Sequence, residues 1–216
     1  MTKPDHFVKR ILMSALGVII CGISVGMFKH VALGVDPFQA LMSGLDALIP
    51  IHFGTLYVIA NIVLLCFSLI LDRSKIGLAT LINLFFLGYI AEFSQGCMRQ
   101  LFPNPGLPLR FLILAIAIVI MCLSSAFYFT ANLGVSTYDA VALIWSERQK
   151  QIPFPICRII ADLCCVILGT VLCLAAGFTV GQVLGEVNIG TIITAFFMGP
   201  LIEFFNVHVA RPFLNR

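Results

Sequence analysis

The sequence predicts an all-α integral membrane protein with six long transmembrane helices, two short embedded or interfacial helices and an internal, inverted two-fold repeat. Three observations predict it. Hydrophobic residues make up 60% of the 216 positions and charged residues 11%, against about 25% charge in an ordinary soluble domain, and mean hydropathy is +1.06. Six apolar stretches, near 11–30, 53–71, 76–95, 110–130, 154–176 and 187–206, approach the roughly 20 helical residues that cross a hydrocarbon core. The chain also repeats itself. Leu33-Gly34-Val35-Asp36-Pro37-Phe38-Gln39-Ala40 returns as Leu133-Gly134-Val135-Ser136-Thr137-Tyr138-Asp139-Ala140, and Thr80–Phe93 aligns with Thr191–Phe204, keeping Gly88 with Gly199 and Glu92 with Glu203.

The first span follows Lys9-Arg10. No small-x-small cleavage site closes it and further apolar spans follow, so it reads as retained rather than as a signal peptide. Next comes a short segment, 33–50, opening with the grammar of a helix start: Gly34 for a tight turn, Asp36 at the N-cap, Pro37 at the first helical position and Gln39 at the third. Two long spans complete this unit. Pro103, Pro105, Gly106 and Pro108 then break the chain between 96 and 109, separating a first membrane repeat, 1–100, from a second, 101–216, within one membrane domain. The second copy has the same order, and its short segment, 132–147, carries Ser136-Thr137-Tyr138-Asp139 at the cap.

The short segments decide the topology. If both cross the bilayer there are eight spans and parallel halves; if both are re-entrant or interfacial there are six, and three per half forces an inverted repeat. Corresponding loops of an inverted repeat lie on opposite sides and take opposite charge bias. They do: 72–75 holds Arg73 and Lys75 while 176–185 is uncharged, and 147–150 holds Arg148 and Lys150 while 47–50 has no base. Six inverted spans follow, with both termini cytoplasmic.

A helix that begins inside the bilayer leaves backbone N–H groups needing partners, and its positive end attracts polar or anionic groups. Gly34, Asp36 and Gln39 with Gly134, Ser136 and Asp139 are therefore the candidate binding residues for a small polar solute. Asp36 argues against a purely anionic one. The plainer alternative makes both segments surface helices satisfied by their own caps. Glu92 and Glu203 sit near helix C-termini, where the dipole disfavours a carboxylate, so they are coupling or gating candidates, or else snorkel to the interface. Arg158 and Asp162 stand four apart on one helical face inside a span, with Asn61 at the place equivalent to Asp162. Charges there turn from lipid, lining a pathway or locking helices together.

Other features read as packing. Gly22-x-x-x-Gly26 and Gly181-x-x-x-Gly185 permit close helix approach, and the eight cysteines show neither C-x-x-C pairs nor zinc spacing. His30 and His52 are isolated, so no metal or other cofactor is expected. No catalytic motif is visible and no enzyme is expected; the basic residues form no stripe that would suit nucleic acid. The bilayer is the expected partner. A homodimer is admitted because six spans make a thin bundle.

At its two motif blocks the chain resembles the YczE/YyaS/YitT-type bacterial integral membrane proteins. Asn188-Ile189-Gly190-Thr191 through Phe197-Met198-Gly199-Pro200 looks like that family's Gly-Thr to Gly-Pro signature, and the two Leu-Gly-Val segments look like its other hallmark. The copies depart from the pattern at Asp36 and Gln39, and at Thr137. The resemblance implies a bacterial cytoplasmic-membrane location and carries no chemistry. Two functional expectations result: a small-solute secondary transporter or permease component, or a non-transporting scaffold or regulator that binds a partner protein.

Overall fold

Each long apolar stretch folds as a helix, because a backbone surrounded by lipid must satisfy its polar groups internally. The computed structural model describes residues 7–51 and 53–215, so His52 lies outside the described residues. Ten α-helices follow in order among them: α1 Phe7–Val31, α2 Pro37–Leu48, α3 Phe53–Leu71, α4 Leu78–Leu101, α5 Leu107–Ala131, α6 Thr137–Gln149, α7 Phe154–Ala175, α8 Val180–Glu186, α9 Ile189–Phe205 and α10 Arg211–Asn215. A π-helical turn, Asn206–Ala210, joins the last two, and no strand occurs among the described residues.

Five helical runs are long and apolar enough to cross a membrane: α1, α4, α5, α7 and the run Val180–Leu214. The expected sixth, α3, offers a shorter apolar helix, Thr55–Leu71. Side chains on the outside fit such a setting. Ile70 is 82% exposed, Tyr89 76% and Phe93 74%, a greasy surface that would associate in water.

The centre of the bundle is α1, which packs along α4 and α5. Gly22 and Gly26 make the first contact possible, since a Cβ would stand 2.7 Å from Ile90 and 2.5 Å from Ser94. By contrast Gly181 and Gly185 have open space beside them. Arg10 donates to the carbonyls of Thr130 and Ala131, and Arg110 donates to those of Val31 and Ala32. Each arginine thus covers the carbonyl end of the other's helix, where its charge suits the dipole. These contacts set α1 and α5 antiparallel.

The loops that start the short helices dock on the opposite half of the chain. Gly34 has φ +102° and Gly134 φ +101°, a region that strains any residue with a Cβ. Val35 N–H donates to Glu186 O at 3.1 Å, and Gly190 N–H to Leu33 O at 2.8 Å. The same two bonds recur from Val135 to Lys75 O at 3.0 Å and from Ala79 to Leu133 O at 3.0 Å. A buried threonine closes each joint, Thr191 Oγ1 donating to Val35 O at 2.6 Å and Thr80 Oγ1 to Val135 O at 2.7 Å. Removing the Thr191 donor takes from the Val35 carbonyl its side-chain hydrogen bond, while Glu186 O keeps the Val35 N–H. Thr191→Val, nearly isosteric, is expected to cost about 1–3 kcal/mol, read as a lower melting temperature in detergent that Thr191→Ser recovers.

Basic residues gather at one end. Asp72 caps a 3₁₀ turn, Arg73–Lys75, by accepting the Ser74 N–H at 2.9 Å, and the Ser74 hydroxyl and N–H hold its carboxyl below the usual carboxylate range. Lys75 Nζ meets Glu147 Oε1 at 2.5 Å, and Arg148 donates to Leu71 O at 3.1 Å.

Candidate functional site

The two short helices present their N-termini to one another in the middle of the bundle. Asp36 caps α2, its Oδ1 accepting the Gln39 N–H at 3.2 Å, while Ser136 Oγ caps α6 by accepting the Asp139 N–H at 3.1 Å. The first aromatic residues of the two helices stack, Phe38 on Tyr138 with centroids 5.0 Å apart, and Tyr57 of α3 meets Phe38 edge-on at 5.7 Å. Asp36, Phe38 and Gln39 thus share one cavity with residues 136–139.

Arg158 of α7 organises its charge. The side chain is 3% exposed, and its Nε donates to both oxygens of Asp162, each at 3.1 Å. Its Nη1 forms an ion pair with Asp139 of α6. The guanidinium lies 4.6 Å from the Tyr138 ring centroid, a cation–π contact, and Nη2 reaches Met198 Sδ of α9 at 3.8 Å. Hydroxyls complete the shell: Tyr138 donates to Asp162 Oδ1 at 2.6 Å, Ser136 to Asp139 Oδ2 at 2.6 Å, and Tyr128 to the same Asp139 oxygen. Thr137 Oγ1 donates to Asn61 Oδ1 at 2.6 Å, tying α6 to α3. A buried charge survives in such surroundings because it is paired and hydrogen-bonded.

The cavity holds about 70 Å³, room for a few waters or a small ionic group. Asp36, Gln39, Ser136, Asp139 and Arg158 line it with Tyr57, Asn61, Asn83, Tyr128 and Tyr138. Asp162 lies fully buried behind Arg158. Three carboxylates, Asp36, Asp139 and Asp162, therefore face one guanidinium. Two of them are bound to it, whereas Asp36 accepts the Gln39 N–H at the start of its own helix. The wall chemistry suits a positively charged or proton-bearing guest.

The remaining candidates lie elsewhere. Gly34 and Gly134 shape the docked loops and do not line the central cavity. Glu92 is exposed on α4. Glu203 receives a 3.4 Å hydrogen bond from Asn206 and lines a separate pocket of about 250 Å³ with Lys75, Glu147 and Arg211. Sequence reasoning missed Tyr57, Tyr128, Asn83 and the role of Tyr138. A signal existed: three of the four tyrosines sit in or beside stretches that already carry Asn61, Asp139 or a cap, and all three line the cavity. Of the cysteines, Cys21, Cys122, Cys157, Cys165 and Cys173 are buried, in keeping with packing roles.

Comparison with known proteins bears out the resemblance read from the motifs. YyaS of Bacillus subtilis (strain 168), an uncharacterized protein, is 26% identical over 201 residues, covering 93% of this chain and 94% of its own. An uncharacterized protein of Haemophilus influenzae is 26% identical over 202 residues, covering 93% of this chain and 84% of its own. No solved structure matches. The model of a family of unknown function, DUF6198, matches residues 8–207, and the chain belongs to that family.

Proposed function

We propose that the protein is a small-solute secondary transporter, or the permease component of one, in the bacterial cytoplasmic membrane. One observation carries this reading: a cavity at the meeting point of two short-helix N-termini, walled by a buried Arg158 and a surplus of carboxylates, in an otherwise apolar bundle. In a scaffold these charges would serve only to lock helices together, a role that calls for no cavity and for no carboxylate beyond those the arginine pairs. The halves 1–100 and 101–216 form an inverted repeat of six spans with α3 as the sixth; the doubled joints at Gly34 and Gly134 and the reciprocal Arg10 and Arg110 contacts support this.

Orientation follows from charge. Lys9, Arg10, Arg73, Lys75, Arg148 and Arg211 gather at the end where α1 starts, and Lys29, Arg99 and Arg110 lie at the other. The first end is cytoplasmic by the positive-inside rule. The solute or its coupling ion is positively charged, or brings an ammonium group or proton to Asp36. Asp36→Asn keeps the cap, since asparagine caps as well as aspartate. It is expected to leave folding intact and reduce uptake of cationic and zwitterionic solutes into proteoliposomes by about tenfold or more, the weight of one charge-assisted contact. Equal uptake by variant and parent removes Asp36 from the site. Failure of the parent across cationic, zwitterionic and anionic solutes favours the partner-binding scaffold.

A further inference from the structure

The two halves agree at their joints and differ at one seam. In the second half α7 packs on α9, but in the first half the equivalent helices α3 and α4 form no such interface. The repeat aligns Gly199 with Gly88, Met198 with Leu87, Arg158 with Tyr57 and Asp162 with Asn61. At Gly199 a Cβ would stand 2.9 Å from Pro155 O and 3.3 Å from Arg158 Cβ, so glycine is what lets α9 close on α7. At Gly88 nothing lies within 4 Å. Glycine inside a helix costs about 1 kcal/mol against alanine, a cost with no return on an exposed face. Met198, Arg158, Leu87 and Tyr57 all line the cavity, and Met198 touches Arg158 across the closed seam.

We infer that the protein has a second conformation in which α3 closes on α4 around Gly88 while α7 parts from α9 around Gly199, exchanging the open seam for the closed one. The inference rests on the inverted-repeat transport reading and adds where the gate is. The closed seam lies at the start of α7, just after α6, where Glu147 meets Lys75, so it faces the basic end. With that end cytoplasmic, the structure is the state sealed from the cytoplasm. Exchange turns the same site toward it.

The test uses the full chain with its cysteines replaced, reconstituted in liposomes. A Tyr57→Cys/Gly88→Cys pair treated with a short bismaleimide is expected to cross-link within one chain; absence of the link, or Gly88→Cys alone joining two chains, overturns the inference, the latter assigning this face to a second copy. Gly88→Leu is expected to keep the parental melting temperature, because its side chain enters open space, yet to cut uptake by about tenfold or more by holding the first seam apart. A readout free of transport accompanies it. Thr194, 1% exposed, aligns with Asn83 of the cavity wall, so maleimide labelling of Thr194→Cys reports the exchanged state. Gly88→Leu is expected to slow that labelling by about tenfold or more while leaving Asn83→Cys labelling unchanged; unchanged labelling at Thr194→Cys overturns the exchange. A chain that links and labels as expected but carries no solute keeps the exchange and loses the transport reading, whereas uptake without the link or the labelling change does the reverse.

Discussion

Arg158→Leu is expected to destabilise the protein by about 3–5 kcal/mol, the range for removing one partner of a buried ion pair. The leucine fills comparable space, but Asp139 and Asp162, with side chains 5% and 0% exposed, lose the one cation paired with them among the described residues. The loss is electrostatic rather than one of volume, and this distinguishes it from ordinary core damage. Adding Asp139→Asn and Asp162→Asn to Arg158→Leu is therefore expected to restore much of the melting temperature in detergent, since neutral amides can still pair with the hydroxyls of Tyr128, Ser136 and Tyr138. Arg158→Lys keeps the charge but replaces a planar fork by a point donor, so it falls between the two. Equal melting of Arg158→Leu and the parent would show that the arginine does not hold the centre together.

Gly134→Ala is expected to have an effect at least as large, from a single methyl group. Its Cβ would stand 2.4 Å from Gly77 N and 2.8 Å from Gly77 Cα, both backbone atoms that cannot swing aside. The backbone at φ +101° adds strain of about 1–3 kcal/mol for any residue bearing a Cβ. The substitution must break the bonds Val135 N–H to Lys75 O and Ala79 N–H to Leu133 O, releasing α6 from α4. Gly177→Ala separates the causes. Gly177 has φ +86° and nothing within 4 Å, so it carries the backbone strain alone and is expected to lower the melting temperature modestly, while Gly134→Ala abolishes recovery of folded protein. Similar losses at the two positions would deny the joint its importance.

What the sequence made legible was what local chemistry decides. Apolar length located the helices, Asp36-Pro37 and Ser136 marked two helix starts, and the spacing of Arg158 and Asp162 marked a face that shuns lipid. The recurring motifs paired residues that make matching hydrogen bonds, Val35 with Val135 and Thr191 with Thr80. The rest depended on partners far apart in the chain. Nothing local to Asp139 says that, while one oxygen stays bonded to its own cap at Ser136, the other meets Arg158, and nothing local to Gly34 says that Thr191 lies against it. The glycines of the motif read as ligand-side residues because a solute and a neighbouring backbone demand the same thing, an unobstructed approach. Glu92 and Glu203 attracted notice by matching positions at helix ends that disfavour a carboxylate, yet one is exposed and the other borders a pocket at the basic end. A recurring position reports a recurring packing need as readily as shared chemistry.

The joint between residue 35 and residues 186–191 also governs how the chain is made. Thr191 follows Val35 by 156 positions, so the anchor of the first short helix does not exist while the early spans enter the membrane. Until residues 186–191 have been delivered, the loop that starts α2 lacks this docking partner, although α2 itself can already pack on α3 and α7, and such long-range closure is the slow kind. Synthesis order therefore leaves the turn at residues 33–35 an open end in the membrane, completed only when α8 and α9 arrive.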